Sequence, residues 1–172
     1  MIISISQPAY LPWAGYFDRI LKSDLHIVLD HVQYESNSKS VTNRNKVRTP
    51  QGWTWLTVPV QTKGLHGQMT IDQLKIAEDK KWPKKHWETI RHNYRRAPFY
   101  EEYANYLEEV YKKEWTRLAP LMRETNDFFR NSLDIVTEIK YSTEMNTEGK
   151  KSDLILNLCK AVHATKYISG PF

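Results

Sequence analysis

The sequence predicts an α/β fold, specifically a Rossmann-like, mostly parallel sheet with an inserted helical segment. An apolar strand, an amphipathic helix and a second apolar strand follow one another within the first 30 residues. This order with a short connection implies parallel pairing through a right-handed crossover. A long helical stretch, about 82–133, precedes further strand-like and helical segments. A mixed α+β domain is the alternative architecture.

The first unit is predicted from three short segments. The run IISIS is rich in β-branched residues and should form a strand that stops at Pro8. Pro12 suits the opening of a helix over residues 13–22, whose apolar residues recur every three or four positions. The apolar run at 25–29 predicts the second strand.

The remaining elements follow from composition and from chain-breaking residues. Residues 31–51 lose the apolar periodicity and are predicted to form a loop, whereas the aromatic stretch 53–60 predicts a strand that Pro59 places at an edge or ends. Residues 74–77 predict a short strand, and breaks at Ala97-Pro98 and near Lys113 divide 82–133 into three helices, the third started or kinked by Pro120. A strand within 134–143, a helix from its cap Ser152 to about residue 163 and a strand at 166–168 complete the prediction.

Length and composition indicate one domain spanning 1–172 that handles an anionic partner. A chain of 172 residues can bury one proper core, and the net charge of +5 favours negatively charged ligands. Cys159 lies in an apolar run and is expected to be a buried thiol without a disulfide. Because no basic leader and no long apolar stretch occur, we expect neither a signal peptide nor a membrane span, and we expect a cytoplasmic protein.

In an open parallel sheet, ligands bind beyond the carboxyl ends of the strands, and several candidate residues follow predicted strands. Gln7, Tyr10 and Trp13 lie between a strand end and a helix N-terminus, where unpaired N–H groups attract anions, although Tyr10 and Trp13 suit the core equally. Asp30 follows the second strand and is the best candidate for a catalytic carboxylate, its alternative role being to cap a turn. Gln33 is a further candidate for ligand binding.

Two basic segments add candidates. In the stretch TNRNKVR a strand-like spacing would place Arg44, Lys46 and Arg48 on one face, where they can bind phosphate, and the asparagines Asn43 and Asn45 add neutral donors. No acidic residue occurs between Glu35 and Asp72. In the predicted helix after residue 82, His86 is a candidate general acid or base, with Trp82, Lys85 and Tyr94 close to it on the helix.

Several classes of site are excluded by spacing. The histidines lack metal-binding spacing and a single cysteine cannot form a thiolate cluster, so no metal site is predicted. No Gly-rich nucleotide fingerprint, Walker loop or serine nucleophile elbow occurs, and no cofactor is predicted. The oligomeric state is not indicated.

The stretches QPAYLPWAGYFDRI, NRN followed by GWTWLTVPV, WPKKHWETIRHNYRRAPFYEEY and the terminal YISGP together resemble the WbqC-like protein family across nearly the whole chain. The resemblance implies a role in bacterial O-antigen or other surface-polysaccharide synthesis, with a glycine or aminoacyl transferase activity suggested. Relatives continue beyond SGP with a further glycine and a Tyr-Leu pattern, so this chain is expected to be short at its C-terminus. The motif positions implied by the resemblance include Gln7, Tyr10, Trp13, Tyr16, Asp30, Gln33, Asn43, Arg44, Asn45, Trp55, Lys85, His86, Tyr94, Ser169 and Gly170.

The resemblance implies an acyl or aminoacyl transferase acting on an amino sugar carried by a nucleotide. Asp30 or His86, with Lys85 beside it, is then the expected base, the basic segment holds phosphate, and Gln7, Asn43 and Ser169 orient the ligand. The expected partner is a nucleotide-linked sugar or phosphorylated metabolite. A nucleotidyltransferase-like enzyme is one alternative, and a nucleic-acid-binding module that uses the basic segments and the many aromatic side chains is the other.

Overall fold

A computed structural model describes residues 1–35, 40–62 and 69–169, which form six strands and five α-helices. Within these ranges, no helix is both long enough and apolar enough to pass through a membrane. In chain order the elements are β1 (Ile2–Ser6), α1 (Ala14–Leu21), β2 (Leu25–Val28), β3 (Arg44–Thr49), β4 (Gly52–Thr57), α2 (Trp82–Tyr94), α3 (Tyr100–Lys112), α4 (Leu118–Ser132), β5 (Glu138–Tyr141), α5 (Lys151–Ala161) and β6 (Lys166–Ile168).

Four strands form a parallel sheet in the order β5-β2-β1-β6, which confirms the predicted α/β fold. The chain moves outward from β1 to β2 and later to β5, and then α5 carries it across to β6 on the other side of β1. This is the order of the first four strands of a Rossmann sheet. The direction of winding changes between β1 and β6, so their carboxyl ends, after Ser6 and Ile168, flank the expected ligand crevice.

Both faces of the sheet are covered, which is why its central strands read as continuous apolar runs. All four residues of β2 are buried. On one face, Leu154 and Leu158 of α5 pack against apolar side chains of β1 and β2. On the other face, α1 contributes Tyr16, Phe17 and Ile20, which pack with Ile135 and Phe129.

The basic segment after Thr42 is a strand, so the prediction of a loop over 31–51 was wrong for residues 44–49. β3 and β4 form an antiparallel hairpin in which Arg44 pairs with Thr57 and Arg48 with Trp53. One face of the hairpin is polar and solvated, so the amino-acid composition of this segment resembles that of a loop. Val47 and Leu56 on the other face pack into a second core, called the hairpin core below, which is built mainly with α2, α3 and α4.

The three predicted helices are present as α2, α3 and α4, and Pro120 lies in the first turn of α4, where its missing N–H costs little. Two predictions were wrong in detail. Residues 74–77 form isolated bridges, Val60 with Ile76 and Lys75 with Arg117, rather than a strand. The N-cap of α5 is Lys150, with an extended backbone, so Ser152 lies inside the helix.

Candidate functional site

Two adjoining cavities lie where the strands of the parallel sheet end, and together we call them the edge cleft. The outer cavity has a volume of about 280 Å³ and is bordered by Gln7, Trp13 and Ser40. The inner cavity, about 30 Å³, lies between the sheet and α4 and is bordered by Asp30. Both cavities share Pro8 and Tyr16 as wall residues. Among the described residues, the walls of the two cavities include residues of β1, β2 and β5 but none of β6.

Asp30 is held rigidly at the carboxyl end of β2. One carboxylate oxygen accepts hydrogen bonds from the Ser142 hydroxyl, at 2.9 Å, and from the Thr143 N–H, at 3.0 Å. The other oxygen accepts from the Thr143 hydroxyl at 3.0 Å. Asp30 is only 6% exposed. These bonds hold the carboxyl ends of β2 and β5 together, and Asp30 also borders the inner cavity.

Three arginines and three carboxylates border the edge cleft. Arg19 of α1 and Glu35 border the outer cavity, and Arg123 and Arg130 of α4 border the inner one together with Asp30 and Asp127. Burial raises the pKa of Tyr16 to about 12, although the nearby positive charges of Arg19 and Arg130 act in the opposite direction. Arg19 and Arg130 therefore place positive charge near the Tyr16 side chain, a residue that borders both cavities.

His26 lies beneath this site on β2 and is buried. Its two ring nitrogens contact the hydroxyls of Ser4, at 2.7 Å, and Ser6, at 3.2 Å. Burial, with a further contribution from Arg19 and Arg130, lowers its pKa to about 3. The ring is therefore neutral at physiological pH, and its contacts with the two serines link β2 to β1 beside the inner cavity.

The sequence analysis did not predict Arg19, Arg123, Arg130 or His26 as site residues, and the reason is clear for the two arginines of α4. Arg123 and Arg130 are seven residues apart in a charged helix, so they look like solvated surface residues. A helical-wheel projection places them on one face together with Asn126, and that is the signal that could have found them.

The structure separates the predicted residues into two groups. Gln7, Trp13 and Tyr16 border the outer cavity and Asp30 the inner one, while Ser169 follows the end of β6. The other predicted residues that the structure describes do not border the edge cleft. Gln33 forms a bridge with Thr70, and Tyr10 lies in the hairpin core. The rest lie on or beside the hairpin or on α2, and they are Asn43, Arg44, Asn45, Lys46, Arg48, Trp55, Lys85, His86 and Tyr94. Gly170 lies outside the described residues.

His86 is part of a buried polar network in the hairpin core. Its Nδ1 lies 2.9 Å from the Tyr10 hydroxyl, which in turn lies 2.6 Å from the Tyr111 hydroxyl. The His86 ring also hydrogen-bonds the backbone of Thr57, and burial lowers its pKa to about 4. Lys85, by contrast, is exposed on α2. A catalytic role for either residue stays a prediction.

The asparagines of the basic segment attach the hairpin to the rest of the chain. The Asn43 side chain donates to the Val58 carbonyl, at 2.9 Å, and accepts from the Tyr34 hydroxyl, at 3.1 Å. The Asn45 side chain donates to the Leu11 carbonyl at 2.7 Å. Both amides therefore fix the position of the hairpin.

The outer face of the hairpin combines cations with tryptophans. The strand register confirms that Arg44, Lys46 and Arg48 share one face, and it places Trp53 and Trp55 beside them. The Arg44 guanidinium lies 4.4 Å from the centre of the Trp55 ring, and the Lys46 ammonium lies 3.7 Å from that of Trp53. On this outer face, the cations and the tryptophan rings therefore form cation–π pairs.

Comparison with known proteins gives a family and one curated relative. A model of the WbqC-like protein family matches residues 7–172. The chain is 36% identical over 170 residues to the "uncharacterized protein Rv1507c" of Mycobacterium tuberculosis (strain ATCC 25618 / H37Rv), an alignment that covers 98% of this chain and 72% of the relative. No solved structure shows significant similarity to the chain.

Proposed function

The chain belongs to the WbqC-like protein family, and from that premise we propose that it is an acyl or aminoacyl transferase. The transferred group, for which glycine is one candidate, goes to an amino sugar carried by a nucleotide or phosphate. The product contributes to bacterial surface polysaccharide such as O-antigen, and we place the reaction in the cytoplasm.

The observation that carries the proposal is the position of Asp30. Its carboxylate borders the inner cavity at the edge where Rossmann-like sheets bind ligands, and three hydrogen bonds from Ser142 and Thr143 fix its direction. Arg19 and Arg130 supply positive charge near Tyr16, which borders the same cavity. A fixed carboxylate in a cavity that also contains arginines suits a reaction between an amine and an activated acyl group.

The proposed step is attack of the sugar amine on the acyl carbon. The nitrogen–carbon bond forms, the bond from the acyl carbon to its leaving group breaks, and Asp30 takes the proton that the amine loses. Of the two bases suggested by sequence, Asp30 borders the edge cleft, whereas His86 lies in the hairpin core, so we assign the role to Asp30. Arg19 and Arg130 attract the phosphate of the ligand, and Gln7 borders the outer cavity as an orienting group.

The test compares Asp30→Asn with wild type. Asparagine retains one oxygen acceptor for Ser142 and Thr143, so the sheet edge should remain intact, but it cannot take a proton at neutral pH. A thermal-shift panel of nucleotides and nucleotide-linked amino sugars first identifies the ligand, because a ligand specific for the folded state raises the melting temperature. With that ligand and activated glycine, we expect Asp30→Asn to bind within a few-fold of wild type and to lose about 10²-fold or more in turnover. Full turnover in the variant would remove the mechanism.

The hairpin face favours a second candidate function, binding of single-stranded nucleic acid. Trp53 is 56% exposed beside Lys46 and Arg48, and cations interspersed with aromatic side chains are the usual platform for a single strand. This function predicts binding of a random oligonucleotide that weakens steeply with salt. Lys46→Glu with Arg48→Glu should abolish it, whereas the same charge change at the exposed residues Lys150 and Lys151 should have a much smaller effect. Equal losses in the two double variants would contradict a specific hairpin site.

A further inference from the structure

A third cavity lies apart from the edge cleft, and we call it the α2–α3 cavity. Its volume is about 940 Å³, compared with about 280 and 30 Å³ for the two cavities of the edge cleft. Residues 75–80, the first turns of α2, the end of α3 and residues 113–117 border it. None of the described residues on its wall belongs to the edge cleft. Its volume is in the range of small-molecule sites, about 300–1,000 Å³.

Two cations are held directly opposite each other at this cavity. Lys75 and Arg117 form an isolated antiparallel bridge, and the hydrogen bonds that flank it join the neighbouring residues of the two segments, each at 3.0 Å. In such a pair the Cα atoms are about 4.5 Å apart and the side chains come close together. The chain neighbours of the two cations are buried in the hairpin core, namely Leu74, Ile76 and Leu118. Lys75 and Arg117 are both exposed, so the two charges share the outer face of the bridge.

The charges of this pair are not neutralised by a contact within the described ranges. Like charges directly opposite each other are destabilising, and Arg117 is also the N-cap residue of α4, where the helix dipole adds positive charge. Lysines elsewhere on the wall form salt bridges with glutamates; they are Lys84, Lys112 and Lys113. Four carboxylates border the cavity, and in the described part of the chain none of them forms a salt bridge with Lys75 or Arg117; they are Glu78, Asp79, Glu108 and Glu114. An anion bound between the two cations would relieve their repulsion.

Tryptophans supply an apolar part of the same wall. Trp87 and Trp115 border the cavity and are partly buried against the hairpin core. The indole N–H of Trp115 donates to the Val110 carbonyl at 2.8 Å, which fixes the orientation of the ring. A fixed aromatic ring packs against a ligand with little loss of side-chain freedom. The cavity therefore suits a ligand that carries an organic part as well as an anionic group.

We infer that the α2–α3 cavity binds a phosphorylated small molecule, with its phosphate between Lys75 and Arg117 and its organic part beside the tryptophans. A phosphate has enough oxygens to accept hydrogen bonds from a guanidinium and an ammonium at the same time. The organic part is a nucleoside or a sugar, and the experiment distinguishes these two sources. This site is separate from the edge cleft and does not depend on the proposed function.

Isothermal titration calorimetry tests the site with ADP and glucose 1-phosphate, each compared with its phosphate-free form, adenosine or glucose. We expect at least one phosphorylated compound to bind about ten-fold or more tightly than its phosphate-free form, and the tighter of the two identifies the organic part. Lys75→Gln with Arg117→Gln keeps most of each side chain but removes both charges, and it should weaken this binding about ten-fold or more. Lys150→Gln with Lys151→Gln, at two adjacent exposed lysines, is the matched control and should bind like wild type.

Three outcomes would overturn the inference. They are no binding of either phosphorylated compound, equal binding of the phosphate-free forms, and unchanged binding in the Lys75 and Arg117 double variant. Inorganic pyrophosphate tests the tryptophan wall, because pyrophosphate binding as tight as that of ADP and glucose 1-phosphate would show that the organic part makes no contact. Melting temperatures of the two double variants confirm that both are folded; removal of the like charges should leave the first at least as stable as wild type.

A further variant separates this site from the proposed function. Arg19→Gln changes a residue that borders the outer cavity of the edge cleft, and we expect it to retain the binding measured above. If Arg19→Gln loses that binding and the Lys75 and Arg117 double variant retains it, the inference is wrong and the proposed function stands. If the double variant loses it and no nucleotide-linked amino sugar binds wild type, the α2–α3 site stands and the proposed function is wrong.

Discussion

The edge cleft and the hairpin core both bury polar groups, but they differ in how those groups are satisfied. In the hairpin core, Tyr10, His86 and Tyr111 hydrogen-bond one another, and the cations outside lie on tryptophan rings. Beside the edge cleft, Asn126 and Arg130 each leave one buried atom without a partner in the described part of the chain. Polar groups that satisfy each other stabilise a fold, whereas a buried polar atom without a partner is destabilising.

The buried histidines give the largest expected effect, and they test both regions at once. Burial lowers the pKa of His26, near the cleft, to about 3 and that of His86, in the hairpin core, to about 4, from 6.5. Between pH 6.5 and 4 the unfolded chain binds protons at both sites that the folded chain does not, so stability present above pH 6.5 is lost as the pH falls. At pH 4 the loss is about 3 kcal/mol for each histidine. Urea unfolding between pH 7 and 4, with imidazole NMR titration, measures it; a titration of either ring near pH 6.5 in the folded protein would contradict the prediction.

Removing the histidine of the hairpin core should have the next largest effect. His86→Ala leaves a cavity beside Trp82 and removes the partner of the Tyr10 hydroxyl, so we expect the free energy of unfolding to fall by about 3 kcal/mol. Lys85→Ala, at the exposed neighbouring position, is the matched control and should change it by less than about 0.5 kcal/mol. Urea denaturation measures both. Similar losses in the two variants would mean that α2 is destabilised generally rather than through its buried network.

How far the sequence predicted each region depends on whether the relevant residues are close together in the chain. The β-branched run IISIS and the apolar run at 25–29 identified the two central strands, and the position of Asp30 just after the second run placed it at the carboxyl end of the sheet without knowledge of its partners. The hairpin strand was mistaken for a loop because its outward cations outnumber its inward apolar residues. The partners of the cleft, Ser142 and Arg130, lie 112 and 100 residues beyond Asp30, and single-sequence patterns carry no information on such pairings.

At the sheet edge, Asp30→Ala should cost less than the loss of His86. The substitution removes three hydrogen bonds that join the ends of β2 and β5, and Ser142 and Thr143 can then bind water, so we expect a loss of about 2 kcal/mol. Asp30→Asn should lose about half as much because it retains an oxygen acceptor. Thermal and urea unfolding of the two variants measure this difference. If Asp30→Ala and Asp30→Asn are equally stable, the carboxylate does not hold the ends of β2 and β5 together. Its fixed orientation would then no longer support the proposed catalytic role.

The smallest expected effect concerns the outer face of the hairpin, where solvent competes with every contact. The Lys46 ammonium lies 3.7 Å from the centre of the Trp53 ring, and a cation–π pair at an exposed site contributes about 0.5–1 kcal/mol. Lys46→Ala should therefore lower the free energy of unfolding by about that amount, while Lys80→Ala, at another exposed lysine, should leave it unchanged. Lys46→Met keeps the apolar stem without the charge and separates packing from the cation–π term. If Lys46→Met is as stable as wild type, the cation adds nothing to the hairpin, and its charge is then available for a ligand, which would bring this face closer in character to the edge cleft.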